Sequence, residues 1–178
     1  GAMIDASRNS VPSPAFLKSM LGSMALMGLN CLVLYMEDVY ELEGEPRFGY
    51  MRGGYTREQL RQLDDEADLY GISIIPSIQV LGHMEKVLRF PEYDSVKDSP
   101  SCLLVGEEKT YGLIGKMLQT VSQCFRSRLV IVGMDETHGL GEGRYRQQNG
   151  SRPPLDIFLD HLQRVDALAK ENGLEIAL

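Results

Sequence analysis

Short apolar runs alternate with helical stretches along the whole chain, and this alternation narrows the fold more than any other feature. Met3 to Ala6 reads as a short strand, and Pro14 to Met27 as a helix with Ser13 as N-cap, proline at its first position and Gly28 as its stop. Phe16, Leu17, Met20, Leu21, Met24 and Met27 give that helix one apolar face. Asn30 to Met36 is a second strand. Thr56 and Gln59 form the two halves of a capping box that opens a second helix, with Leu60, Leu63 and Ala67 on its inner face and Gly71 at its end. Ile72 to Val80 is a third strand, in which Pro76 predicts a bend or a local break in the ladder. A helix over Glu107 to Phe125, a strand from Leu129, a helix from Pro154 through Asn172 and a final strand, Leu174 to Leu178, complete the series.

Five strands separated by helices specify an α/β protein with parallel strands and right-handed crossovers. Two architectures compete at this point. A five-stranded doubly wound sheet is complete at 178 residues, whereas a (β/α)8 barrel takes about 250 residues and needs three further units. No glycine-rich dinucleotide fingerprint follows the first strand, and no phosphate-loop motif occurs anywhere.

Composition excludes several function classes. With 43% hydrophobic and 24% charged residues, the chain can bury a sizeable core. Its net charge of −7 and the absence of a basic run with interleaved aromatics argue against a nucleic-acid partner. No apolar stretch approaches the roughly 20 residues that span a bilayer, so no membrane partner is expected. The opening residues lack the regions of a signal peptide, which points to the cytoplasm. Cys31, Cys102 and Cys124 are odd in number and without metal-ligand spacing, and they read as small buried hydrophobes.

The chemistry concentrates where strands end. The stretch Leu129 to Gly139, LVIVGMDETHG, is an apolar run that opens directly onto Asp135 and Glu136, with His138 close behind. In parallel sheets, residues just past the carboxyl end of a strand line the ligand site. The same end of the earlier strands carries Arg8, Glu37 with Asp38, and Gly82 with His83. The irregular connection from Glu37 to Tyr55, with four glycines, one proline and several aromatics, is long enough to read as functional. Side chains of successive strand residues point to opposite faces, so Asp135 and Glu136 can share one cleft only if the backbone turns there. Gly133 and Gly139 flank the pair and ease such a turn.

Taken in order, DASR at the first strand, YMED at the second, PSIQVLGH at the third and GMDE at the fourth resemble the β-N-acetylhexosaminidases of glycoside hydrolase family 20. The resemblance runs over essentially the whole chain. It implies a TIM (β/α)8 barrel, incomplete here, with residues 1–178 forming the N-terminal part of a single catalytic domain. It further implies hydrolysis of terminal, non-reducing β-linked N-acetylhexosamine, glucosamine or galactosamine in configuration, with an oligosaccharide as substrate and no cofactor or metal.

In that family the substrate's own 2-acetamido oxygen is the nucleophile. The resemblance therefore casts Glu136 as the acid and then the base, and Asp135 as the group that orients the acetamido N–H and stabilises the oxazolinium intermediate. A neighbouring negative charge and partial burial would keep Glu136 protonated near neutral pH. His83 would bond Glu136 and be held in turn by Asp38, while Arg8 would grip sugar hydroxyls with its fork of donors.

The chain also departs from the family pattern. Family 20 pockets are closed by Trp and Tyr from later strands, yet this sequence has no Trp and stops at strand five. An open half barrel exposes sheet edges and apolar faces, so alone it is expected to be inactive, oligomeric or poorly stable. The second strand carries one Asp where many members have two. Two other readings remain open from the residues. One is a metal-dependent enzyme using His83, Asp135, Glu136 and His138 as ligands for Mn²⁺ or Zn²⁺; the other is a non-catalytic sugar-binding module.

Overall fold

The computed structural model describes residues 1–178 and contains one five-stranded parallel sheet. The strands are β1 (Ala2–Asp5), β2 (Cys31–Tyr35), β3 (Ser73–Gln79), β4 (Leu129–Gly133) and β5 (Glu175–Ala177). They lie side by side in chain order. Four long helices connect them: α1 (Pro14–Leu26), α2 (Arg57–Leu69), α4 (Glu108–Cys124) and α6 (Pro154–Glu171). Two short helices, α3 (Glu85–Leu88) and α5 (Arg144–Asn149), and a 3₁₀ turn at Pro91–Val96 sit in connections that the sequence reads as loops.

Strand order decides between the two architectures. A doubly wound sheet reverses direction midway and places helices on both faces. Here every right-handed crossover steps to the next strand, which keeps the helices on one side, as in a barrel. Burial agrees. Leu32, Leu34, Ile74, Ile78, Val130 and Val132 point to the helical side and are at most 1% exposed, packed in one core with Leu17, Leu21, Leu60, Ile114 and Leu118. The opposite, inner face runs by register through Met3, Val33 and Ile75, and through Asp5, Tyr35, Ser77, Ile131 and Ala177. Most of these are half-buried or exposed; only the upper end, at Ser77 and Gln79, is sealed.

Local signals act as the sequence implies. Ser13 accepts from the Phe16 N–H, and Thr56 and Gln59 exchange both capping-box bonds. Pro76 does not break β3, which pairs with β2 from Ser73 to Ser77 and with β4 from Ser77 to Gln79. Its missing N–H falls on the β4 side, where the register would offer the Leu129 carbonyl. That carbonyl takes the Ser127 hydroxyl instead, at 2.9 Å. No helix is long and apolar enough to cross a membrane.

Candidate active site

The carboxyl ends of β1 to β4 form a rim, and shortly past the end of each strand one non-glycine residue adopts the left-handed conformation. These are Asn9 (φ 62°), Glu37 (φ 51°), His83 (φ 55°) and Glu136 (φ 47°). Such a residue costs about 1–2 kcal/mol in an L-amino acid. Strained backbone of this kind gathers at functional sites because it aims side chains where regular structure cannot. Only Met51 shares the conformation elsewhere among the non-glycine residues.

The turn needed to bring Asp135 and Glu136 together is made by Glu136 itself. Both carboxylates reach one imidazole: His83 Nε2 lies 3.3 Å from Asp135 Oδ2 and 3.5 Å from Glu136 Oε2. Their side chains are 62% and 65% exposed, so they project from the rim rather than into the core. The partial burial expected of Glu136 is thus not supplied by these residues. Gly139 shares the left-handed geometry, whereas Gly133 has a different task. A Cβ there would lie 2.4 Å from three atoms of the Gln79 side chain, so Gly133 leaves the space that Gln79 fills. Gly82 is also fixed by space, because its Cβ would meet the Asp135 carbonyl at 2.3 Å. The His83 loop can therefore lie directly against the Asp135 backbone.

Asp135 is held ionised. Partial burial pushes its carboxyl up, but the Gln79 amide at 3.0 Å, its own backbone N–H and His83 together bring it below the usual carboxylate range. Gln79 is fully buried, and its Nε2 also donates to Tyr35 Oη at 2.8 Å. Tyr35 in turn donates to Glu37 Oε1 at 3.1 Å. Burial, with Glu37 close by, pushes the phenol up to about 12 and keeps its proton in place.

Arg8 stands at the end of this row, its Nη1 2.9 Å from Glu37 Oε1 and its side chain 57% exposed. Glu37 is itself only 3% exposed, and burial raises its carboxyl against the pull of Arg8 and Tyr35. Asp38 is placed differently from the sequence reading. It makes no bond to His83; Arg52, reaching back from the long β2–α2 connection, donates to it at 3.1 and 3.2 Å. Arg52 also bonds Asn9 Oδ1 at 2.7 Å and the Ser7 carbonyl. Burial raises Asp38 and Arg52 opposes that rise, while Asp38 Oδ2 is buried without a partner. The role given to Asp38 thus changes from holding His83 to anchoring the loop that carries Arg52.

His138 is exposed and its ring has no hydrogen-bond partner. Nowhere do three or more His, Cys, Asp or Glu side chains come together in an arrangement able to hold a metal ion, which leaves the four-ligand reading without geometry. Tyr35, Gln79 and Arg52 join the site without having been singled out from the sequence, whereas Glu37 was placed on the rim but given no role. Gln79 left a trace in the sequence, as an amide inside the apolar run ISIIPSIQV.

Known proteins resemble this chain in both sequence and fold. Human Hexosaminidase D is 27% identical over 166 residues, covering 89% of this chain and 34% of the human protein. The Bos taurus Hexosaminidase D is 25% identical over 165 residues, covering 89% and 48%. The chain thus spans about a third of the one and about half of the other of these two relatives. A solved family 20 exo-β-N-acetylglucosaminidase from Vibrio harveyi superposes with a TM-score of 0.83 at 20% identity, over 99% of this chain and 34% of that one. A solved β-N-acetylhexosaminidase superposes with a TM-score of 0.84 at 20% identity, over 99% and 45%. Residues 1–156 match the description "Glycosyl hydrolase family 20, catalytic domain". With that match covering most of the sheet and all of the rim, the chain belongs to glycosyl hydrolase family 20.

Proposed function

We propose that the protein carrying this sequence removes terminal, non-reducing β-linked N-acetylhexosamine from oligosaccharides by substrate-assisted, retaining catalysis. The observation that carries the reading is the convergence of Asp135 and Glu136 on His83 Nε2 at one rim of a parallel sheet. Cleavage needs a proton for the leaving oxygen and stabilisation of positive charge at the anomeric carbon. Glu136, exposed to the cleft, donates that proton and later takes one from water. The 2-acetamido carbonyl oxygen attacks the anomeric carbon as the glycosidic bond breaks, giving an oxazolinium ion whose N–H faces the ionised Asp135. Water then opens the ring and returns the β configuration.

His83 fixes the two carboxylates relative to each other, and Arg8 has the donor geometry to hold vicinal hydroxyls of the terminal sugar. Acid–base catalysis by a placed carboxyl is worth about 10²–10⁴ in rate. The test is turnover of aryl β-N-acetylglucosaminide and aryl β-N-acetylgalactosaminide by the full protein, with Glu136→Gln and Asp135→Asn beside it. Hydrolysis that both substitutions slow severely is expected. Hydrolysis unaffected by either, or none toward both epimers, contradicts the proposal.

A further inference from the structure

Five side chains form one unbroken hydrogen-bonded row across the inner face of the sheet, from Arg8 past the end of β1 to Asp135 past the end of β4. Arg8 and Tyr35 both donate to Glu37 Oε1, and Gln79 Nε2 donates at once to Tyr35 Oη and Asp135 Oδ1. We propose that Gln79 is a positioning residue for Asp135, and that the Arg8–Glu37–Tyr35–Gln79–Asp135 row ties the grip on sugar hydroxyls to the aim of the carboxylate that holds the acetamido group. The inference deepens the hexosaminidase reading and rests on it.

The direction of every bond in the row is determined. The Gln79 amide nitrogen carries two protons, and its two neighbours at that end are a phenol oxygen and a carboxylate. Both protons are therefore given away, so Tyr35 accepts one and must turn its own proton to Glu37. The carboxylate of Glu37 then receives from Tyr35 on one side and from Arg8 on the other. Turning the amide over would set its oxygen against Asp135, which repels it unless Asp135 is protonated. The row as built therefore specifies an ionised Asp135.

The setting of Gln79 shows that this placement is maintained at a cost. Its Oε1 is buried with no partner, the kind of unmet acceptor that ordinary cores avoid. Gly133, the register partner of Gln79, gives up its side chain so that the amide can lie across the strand. Gln79 ends β3 and Asp135 lies two residues past β4, so the bond between them also fixes the rise of the GMDE turn above the sheet. Asp135 Oδ1 is thereby occupied by the amide, while Oδ2 is the oxygen 3.3 Å from His83 Nε2.

Gln79→Leu, which keeps the bulk and removes both donors, tests the proposal in the full protein. The expected result is a kcat lower by about 10- to 100-fold, the range for losing a hydrogen bond to a charged group, with KM changed much less. The acidic limb of the kcat/KM profile moves to higher pH, since Asp135 keeps His83, its own N–H and the nearby Glu136 and Tyr35 but loses its amide donor. Tyr35→Phe shifts the limb in the same direction by less. In an Asp135→Asn background, Gln79→Leu has little further effect, because its influence passes through that carboxylate. A variant that merely folds less well would lose active protein without moving the pH profile. An active wild type whose Gln79→Leu variant keeps the wild-type kcat and acidic limb overturns the inference and leaves the hexosaminidase reading standing. If the wild type hydrolyses neither epimer, that reading fails. Carbon NMR of the Asp135 carboxyl then decides the inference by itself: a titration raised in Gln79→Leu supports it, and an unchanged one overturns it.

Discussion

The two faces of the same sheet obey different rules. On the helical side, Leu34, Ile78, Val130 and Val132 are fully buried in one core, and α1, α2 and α4 each open on a side-chain cap. On the inner side, the upper end holds the arginines Arg8 and Arg52, the phenol of Tyr35, the amide of Gln79 and the four carboxylates of Glu37, Asp38, Asp135 and Glu136, with unpaired buried oxygens on Asp38 and Gln79. The first face is built from area removed from water, the second from aimed dipoles and charges held by left-handed backbone. Stability resides chiefly in one and chemistry in the other.

Perturbing each face in turn should separate the two. The largest effect belongs to the rim: Glu136→Gln should lower turnover by about 10³-fold with little change in melting temperature, measured by steady-state kinetics beside thermal denaturation. Next is Leu34→Ala on the helical face, which should cost about 2–5 kcal/mol in denaturant unfolding. Met3→Ala, 61% exposed on the inner face, should cost less than about 0.5 kcal/mol.

His161 gives the helical face its own pH dependence. It is fully buried, with Nε2 2.9 Å from the Val80 carbonyl and Nδ1 3.2 Å from Tyr111 Oη, so α6 is fastened to the end of β3. Burial lowers its pKa from 6.5 to about 4. The folded state thus favours the neutral ring. Above pH 6.5 both folded and unfolded chains carry it neutral and its contribution is constant. As pH falls from 6.5 toward 4 the unfolded chain takes up the proton first, and stability declines by on the order of 3 kcal/mol before levelling off. Urea unfolding at several pH values, with His161→Gln as the reference lacking this slope, measures it.

Gly82→Ala sits between the two faces. Its Cβ would strike the Asp135 carbonyl, so the His83 loop must shift, with a stability loss of about 1–3 kcal/mol and a turnover loss larger than that destabilisation explains. Equal losses in both would mean that the loop carries no positional information.

What the sequence made legible follows the same division. Strands, long helices and their caps were readable because periodicity and capping are local, and the Asp135–Glu136 pair because it follows an apolar run. The helices at Glu85–Leu88 and Arg144–Asn149 were not, since so short a helix is held by tertiary contacts rather than by its own pattern. The choice between a doubly wound and a singly wound sheet also needed coordinates, because strand order is a long-range property. The partner of Asp38 was misassigned for a related reason: Arg52 comes from 14 residues downstream in an irregular loop whose path no local signal sets. Glu37, His83 and Glu136 adopt conformations usually left to glycine, so nothing in their identity announced the turns they make.

The account stands on Asp135 and Glu136 facing one sugar whose acetamido group does the attacking. Binding of N-acetylglucosamine thiazoline, a stable mimic of the cyclic intermediate, to the wild-type protein and to Asp135→Asn tests this most directly. The account predicts tight competitive binding to the wild type and a loss of about 100-fold or more in the variant, in keeping with a charge-assisted hydrogen bond made to the intermediate. Equal affinity for both proteins, or no binding to an otherwise active wild type, would contradict it.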